Sequence, residues 1–518
     1  MHTETLSHTS TSSTSRFSPA VWLIGGGVVL LFMVTNALGG YGYFNDEFYY
    51  IACAKRLAWG YVDHPPLAPL LLRLSMAVFG DSVLAIRLLS SLAGGLTVVL
   101  GGLLARRLGG GGFAQGLAAV TTALTPLLLA VSSFYSMNAF EPLVWVGSLM
   151  VLVSILEGGG SRLWLGFGLI LGVGLQNKHT TIVFALAVAI ALLLTPARRH
   201  LAARWPWLAA LLAGVIILPN VIWQAVHGWP SLEFYRNAMI YKNVPRSPVQ
   251  VLLDQVTTTN PVSVLVWIPG LVGLLVWQRL AGFRALGWTA VVILAAQIVS
   301  KSSRPDRIVA IYPLLFAAGA VVIEGLTAAR LRWIRWIVGG QIVVIGVALL
   351  PIGVPVLPPA TLSSYLQRIG FSPQIEKGKT APLPQHFADR FGWQELADSV
   401  ASVYRRVPPK DQARTAIFAG SYGTAGALEL LGAKYKLPCI MSGHNSYFLW
   451  GPCSDSTRVI ITVLHSGEDL AELFDEVSLG AVTDCDFCMD YEDDQPIYVA
   501  RGPRFVMSET WHYMKHFE

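Results

Sequence analysis

The chain has 518 residues, 53% hydrophobic and only 13% charged, with a formal net charge of +6. Apolar runs recur through the first 357 positions, which excludes a single soluble domain and describes a polytopic membrane protein. Charge splits the chain: residues 1–357 hold 23 Lys+Arg against 11 Asp+Glu (net +12), and residues 358–518 hold 14 against 20 (net −6), with no spanning run in the second part.

A crossing needs roughly 20 apolar residues. Spans are therefore predicted near 19–39, 82–105, 113–134, 139–156, 162–177, 179–195, 206–226, 260–278, 285–301, 307–327 and 335–357, eleven in all. Basic residues mark the cytoplasmic connections. Arg106-Arg107, Arg162, Arg198-Arg199 with Arg204, Arg279 with Arg284, and Arg330, Arg332 and Arg335 fall in alternate loops. This pattern makes 1–18 a cytoplasmic tail and 19–357 a transmembrane domain whose first outer loop is 40–81, and it puts 358–518 outside. The first span reads as an anchor rather than a cleaved signal. Division of the basic residues among membrane loops excludes a nucleic-acid-binding protein.

The first outer loop opens with YFNDEFYY. Asp46 and Glu47 are adjacent carboxylates at a membrane surface, where an uncompensated charge is costly and usually functional. Asn45 is a candidate cap for an interfacial helix carrying both acids in its first turn. Capping does not account for Tyr41, Tyr43, Phe44, Phe48, Tyr49 and Tyr50 crowding the pair. Aromatic faces beside carboxylates suit a sugar. The same loop continues with YVDHPPL, which holds Asp63 and His64.

Two further outer loops carry cations where the charge rule expects few: QNKHTT with Lys178 and His179, and KSSRPDR with Lys301, Arg304 and Arg307. Arg forks and Lys point charges suit a lipid phosphate or pyrophosphate at the outer interface. Snorkelling at helix ends is the rival explanation. Glu141 in SMNAFEPLVW has a rival reading as helix-start electrostatics, and Tyr312 as an interfacial anchor. The connection from His227 to Asn260 is long and polar, fit either to cap a cavity or to lie on headgroups.

The C-terminal part alternates strand-like TAIFAGSY, RVIITVLH and IYVARGP with helix-like AGALELLG and DLAELFDEV, predicting a small α/β domain. GSYGTAG reads as a glycine-rich turn, since it lacks the P-loop Lys and the full dinucleotide pattern. Cys439, Cys453, Cys485 and Cys488 lie here and allow three pairings, of which Cys439–Cys453 with Cys485–Cys488 is the one adopted. The acidic run from Asp484 to Asp494 reads as a solvated face.

An acidic pair followed by aromatic residues after the first span, then a Pro-Pro motif in the same loop, resembles glycosyltransferase family 39. That family contains the dolichyl-phosphate-mannose protein mannosyltransferases and the bacterial aminoarabinose transferase acting on lipid A. The resemblance runs through NDEFYY, DHPPL, SMNAFEPLVW, NKHTT, RPDRIVAIYP, GSYGTAGALELLG, IMSGHNSYFLWGP and a terminal KHFE. It implies a GT-C fold in a bacterial cytoplasmic (inner) membrane. It also implies transfer of one sugar, with inversion, from a polyprenyl phosphate to a lipid, glycan or protein acceptor on the outer face. By resemblance Asp46 is the general base, Glu47 orients Asp46 or a sugar hydroxyl, Glu141 lies near the acceptor and Tyr312 faces the donor. Lys178, Arg304 or Arg307 would stabilise the leaving phosphate. His64 departs from the Lys common before Pro-Pro and would serve the phosphate only while protonated. Tyr50, Asp63 and His179 complete the expected substrate-binding set. No cofactor or metal ligand is assigned, and a divalent metal stays open. Membrane lipids are expected partners. The rivals are a transporter or flippase of lipid-linked sugars, for which internal repeats and mid-membrane acids are wanting, and a non-catalytic envelope protein that binds a lipid carrier.

Overall fold

The computed structural model describes residues 16–38, 40–371, 381–463 and 470–518, so most of the Ser/Thr-rich tail expected at 1–18 lies outside the described residues. The membrane part begins with α1 (Ala20–Leu38), α2 (Asn45–Lys55), α3 (Leu67–Phe79), α4 (Val83–Arg107), α5 (Gly112–Ala123), α6 (Pro126–Ser132), α7 (Met137–Leu156) and α8 (Leu163–Asn177). It continues with α9 (Thr181–Leu193), α10 (Arg204–Val226), α11 (Pro230–Asn237), α12 (Pro248–Thr258), α13 (Val264–Val276), α14 (Arg284–Ser300), α15 (Tyr312–Leu326) and α16 (Arg332–Gly353).

Among the described residues seven helices are long and apolar enough to cross a membrane, or ten if each of three bent pairs is one span. The expected count of eleven is therefore not reached on length and composition. The predicted span 162–177 is a helix of 15 residues, and the predicted 113–134 is α5 and α6 bent by 62° at the Leu124-Thr125-Pro126 break. Proline at the first position of α6 lacks the N–H that would continue α5.

Lipid tails give no hydrophobic drive between helices, so close packing of small residues holds the bundle. A Cβ at Gly319 of α15 would stand 1.8 Å from the Val266 carbonyl of α13, and one at Gly270 would stand 2.0 Å from the Leu315 carbonyl. Leu23 and Leu38 of α1, Leu211 of α10 and Trp336 of α16 face outward, as lipid-facing side chains do. Arg107 pairs with Glu157 at the end of α7, and Arg335 of α16 donates to the Glu324 carbonyl at 2.7 Å and lies 5.2 Å from the Phe113 ring. These contacts gather the basic connections at one end of the bundle.

The C-terminal part has α17 (Pro359–Arg368), α18 (Gln385–Ala388), α19 (Trp393–Arg405), α20 (Pro409–Gln412), β1 (Thr415–Ala419), α21 (Tyr422–Leu431), β2 (Cys439–Met441), β3 (Val459–Val463), β4 (Phe474–Val482) and β5 (Pro496–Pro503). The sheet order is β2-β1-β3-β5-β4. β1 is parallel to β2 and β3, with Ile417 opposite Ile440 and Ile461, and β5 is antiparallel to β3 and β4. One face packs Ile417, Ile461 and Val499 against Ala397, Val400 and Leu428 of α19 and α21. The helix-like DLAELFDEV is corrected: a short turn at Leu470–Leu473 runs directly into β4, whose pairing with β5 overrides the local helical pattern. Cys439 and Cys453 are bridged. Cys485 and Cys488 are free thiols, so the second pairing is corrected: Cys488 Sγ donates to the Cys485 carbonyl at 3.4 Å, inside a turn held by Cys485 N–H on Asp493 Oδ1 at 2.9 Å.

The C-terminal domain sits directly on α2. Asn45 N–H donates to the Asp389 carbonyl at 3.0 Å, and His386 Nε2 donates to the Ile352 carbonyl at 2.8 Å. A Cβ at Gly423 would fall 1.5 Å from Asn45 Oδ1, and one at Gly426 would fall 2.8 Å from the Phe48 backbone carbon. The glycines of GSYGTAG thus let α21 lie flush on α2. Arg56 closes the far end of the contact, 2.6 Å from Glu429 and 4.5 Å over the Trp450 ring.

Candidate active site

Helix α2 starts one residue earlier than the capping expectation. Phe44 is its N-cap, Asn45 is the first helical residue, and the Phe44 N–H is taken by Glu47 Oε2 at 2.8 Å. Successive helical residues point about 100° apart, and this separates the two acids. Asp46 lines a cavity of about 800 Å³ at the junction of the bundle and the C-terminal domain. Glu47 is fully buried away from it and forms a two-pronged pair with Arg87 of α4, at 2.8 and 2.7 Å. Its carboxylate also accepts the Tyr135 N–H at 2.7 Å. The structure thus places Glu47, expected in the site, off the cavity as a brace between α2 and α4. Arg87 carried a sequence signal that went unread, a cation inside a predicted span.

Several expected residues meet in the cavity: Asp46, Tyr50, Asp63, Lys178, His179, Arg304 and Arg307 all line it. Three do not. His64 is buried with its ring stacked on Tyr50 at 4.7 Å, donates from Nδ1 to the Pro65 carbonyl and stands 3.9 Å from Asp63. Tyr312 is buried in the bundle with its hydroxyl 3.1 Å from Gln255 Oε1. Glu141 is buried behind Lys178, pairing with its ammonium at 2.6 Å and accepting the Thr180 hydroxyl. The structure thus places all three off the cavity's lining. His64 and Glu141 instead abut lining residues.

The cations are graded. Lys178 is compensated by Glu141, and Arg304 forks onto Asp306 at 2.9 and 3.3 Å. Burial raises the Asp306 carboxyl's pKa, but the charges of Arg304, Lys178 and Arg307 prevail and hold it well below the usual carboxylate range. Arg307 has no ion-pair partner among the described residues and directs Nη1 toward Met239 Sδ at 3.8 Å. Burial lowers the basicity of His179, whose ring lies between the Tyr235 hydroxyl and Asn220 Oδ1, each at 3.1 Å.

Apolar walls come from Leu127, Val131, Ile182, Val221 and Ile293 of the membrane helices. Trp229, Phe234, Tyr235 and Lys242 from the long 227–260 connection also line the cavity, the capping arrangement rather than the headgroup one. The C-terminal domain adds Gln385, His386 and Asp389, which no sequence pattern pointed to, and Tyr422 and Asn445, which lie in the GSYGTAG and IMSGHNSYFLWGP motifs but were not singled out as site residues. Tyr422 donates to Asp46 Oδ1 at 2.9 Å. Asn445 holds a left-handed φ of 48°, a conformation costly for a residue with a side chain. Among the described residues no group of three or more His, Cys, Asp or Glu side chains is placed to hold a metal ion.

Carboxylates, cations and an apolar gallery in one cavity, roofed by an α/β domain on a helical bundle, define the class: a polytopic membrane protein of the GT-C fold. Comparison with known proteins narrows it. Residues 63–223 match the family model described as dolichyl-phosphate-mannose-protein mannosyltransferase. A curated relative, the undecaprenyl phosphate-alpha-4-amino-4-deoxy-L-arabinose arabinosyl transferase 2 of Pseudomonas fluorescens, is 28% identical over 298 residues, 53% of this chain and 49% of the relative. The chain thus spans about half the length of the curated relative it matches. Among solved structures, ArnT from Cupriavidus metallidurans bound to undecaprenyl phosphate superposes with a TM-score of 0.58 at 16% identity, over 94% of this chain and 100% of that one. The Archaeoglobus fulgidus oligosaccharyltransferase tethered to an acceptor peptide superposes at 0.53 with 13% identity, over 80% of this chain and 63% of that one. The family-model match agrees with the resemblance read from the sequence over residues 63–223, and the solved structures share the fold over most of the chain.

Proposed function

We propose that this protein is an integral membrane glycosyltransferase that moves a single sugar from a polyprenyl-phosphate donor to an acceptor at the outer face of a bacterial cytoplasmic membrane. The observation that carries the reading is the meeting of Asp46 with Lys178, Arg304 and Arg307 in one cavity with apolar walls. In this reading Asp46 takes the proton of an acceptor hydroxyl as its oxygen bonds to the anomeric carbon. The bond from that carbon to the phosphate oxygen breaks, and the leaving polyprenyl phosphate keeps the electron pair. The cationic side of the cavity stabilises its charge where little water competes, and the apolar walls suit the first isoprene units. Gathering of the basic connections at the opposite end of the bundle supports a cytoplasmic assignment for that end and an outer one for the cavity and the C-terminal domain. The bridged Cys439–Cys453 pair agrees with an oxidising compartment.

The test is transfer of radiolabelled sugar into membrane extracts from a panel of undecaprenyl-phosphate sugars, 4-amino-4-deoxy-L-arabinose included, comparing the protein with Asp46→Asn at matched expression. The expected outcome is label from one donor, reduced by roughly 10²-fold or more in the variant. Absence of label from every donor, with both proteins folded, overturns the reading in favour of lipid-carrier binding or transport.

A further inference from the structure

Asp46 belongs to the membrane part, yet one of its oxygens is held by the C-terminal domain, 376 residues away in sequence. The donor is the hydroxyl of Tyr422, the first residue of α21, at 2.9 Å from Oδ1. The tyrosine itself is fixed. Its ring lies 4.8 Å from that of Tyr49 and 4.6 Å from that of His444. The Tyr49 hydroxyl is in turn 2.9 Å from Asp63 Oδ1 and 2.6 Å from Ser446 Oγ. The next residue, Gly423, has its Cα against Asn45, the residue before Asp46, so backbone and ring are both registered on the start of α2.

A carboxylate on the first turn of a helix has free rotation about two side-chain bonds, and a general base is effective only when its lone pair is aimed within hydrogen-bond reach of the proton it removes. A phenol donating to one oxygen removes that freedom and favours the charged form. We propose that Tyr422 is a positioning residue for Asp46, so that the C-terminal domain completes the active site by orienting the carboxylate through one hydrogen bond. The proposal rests on the reading of Asp46 as the base. Tyr422 keeps its proton throughout. The acceptor's proton goes to Asp46, and the phenol changes neither charge nor bonding.

The experiment uses the full chain in lipid nanodiscs and has two readouts. The first needs no substrate: infrared difference titration of the Asp46 carboxyl band, assigned by its absence in Asp46→Asn. Tyr422→Phe keeps the ring on Tyr49 and His444 and removes only the hydroxyl, and it should move the titration midpoint to higher pH. Tyr422→3-fluorotyrosine, a stronger donor of the same shape, should move it lower. Tyr49, Tyr50, Asp63, Lys178, His179 and Glu518, which line the same cavity, are unchanged in all three proteins, so the differences report the change at Tyr422. The second readout is transfer from whichever undecaprenyl-phosphate sugar the panel identifies, where Tyr422→Phe should lower kcat about tenfold with the donor KM unchanged. An unmoved midpoint with either variant, or a rise in KM alone, overturns the proposal. Full transfer by Asp46→Asn would instead sink the functional reading, and the titration would still decide the contact.

Discussion

Asp46 and Glu47 are neighbours in the chain and opposites in environment. One lines the cavity and the other is sealed against Arg87. Removing one partner of a buried pair leaves an uncompensated charge, at a cost of roughly 3–5 kcal/mol. Glu47→Gln should therefore lower the unfolding temperature of the purified protein markedly, whereas Asp46→Asn should melt near the parent. Equal melting of the two variants would refute the brace. Arg307 is distinguished among the cavity cations by having no ion-pair partner among the described residues. One charge-assisted contact is worth roughly 1.5–3 kcal/mol. Arg307→Ala should accordingly raise the donor KM by about tenfold or more, with Arg307→Lys intermediate, in a steady-state assay with varied donor. At this scale the sequence singled out Asp46, Lys178, Arg304 and Arg307, which the structure brings to one cavity. It could not separate lining from buried positions, because His64, Glu141 and Tyr312 sit in the same motifs as residues that line the cavity and differ from them only in direction.

Among elements, the contact of α2 with α21 decides most. A side chain at Gly426 would meet the Phe48 backbone at 2.8 Å, backbone that cannot swing aside. Gly426→Val should cost about 1–3 kcal/mol by overpacking and lift the C-terminal domain from α2. Hydrogen exchange should then show increased exchange along residues 45–55 and 422–431, with the spans unchanged. Uniform protection in the variant would contradict this role for the glycine. The sequence presented GSYGTAG as a turn, and its use as a packing face was invisible because the partner helix is remote in the chain. The strands at TAIFAGSY, RVIITVLH and IYVARGP were legible from runs of β-branched and aromatic residues. β4 was not, since its residues alternate poorly and its strand state comes from pairing with β5 along an edge.

Over the whole molecule the two parts named by charge are joined through groups that titrate. His386 lies under the C-terminal domain, its imidazole donating to the last turn of α16. Burial first, then the charge of Arg390, lowers its pKa from 6.5 to about 3. An unfolded chain binds a proton at this position below about 6.5 and the folded one does not until about 3. Stability therefore falls as pH drops through that window. His386→Gln should flatten the acid limb of a melting-temperature profile between those limits, and an unchanged limb would show that His386 is not a source of the slope.

The sequence by itself determined that this is a membrane protein of many helices with a separate acidic domain. Hydrophobic length and basic-residue placement are local properties that the bilayer reads directly. It also singled out the connection 40–81 as a candidate site. Only the tertiary structure decided which of two adjacent acids faces the cavity, and that a tyrosine 376 residues downstream holds it. The physical reason is that helical phase and long-range packing set side-chain direction, and neither is written in the spacing of residues along the chain.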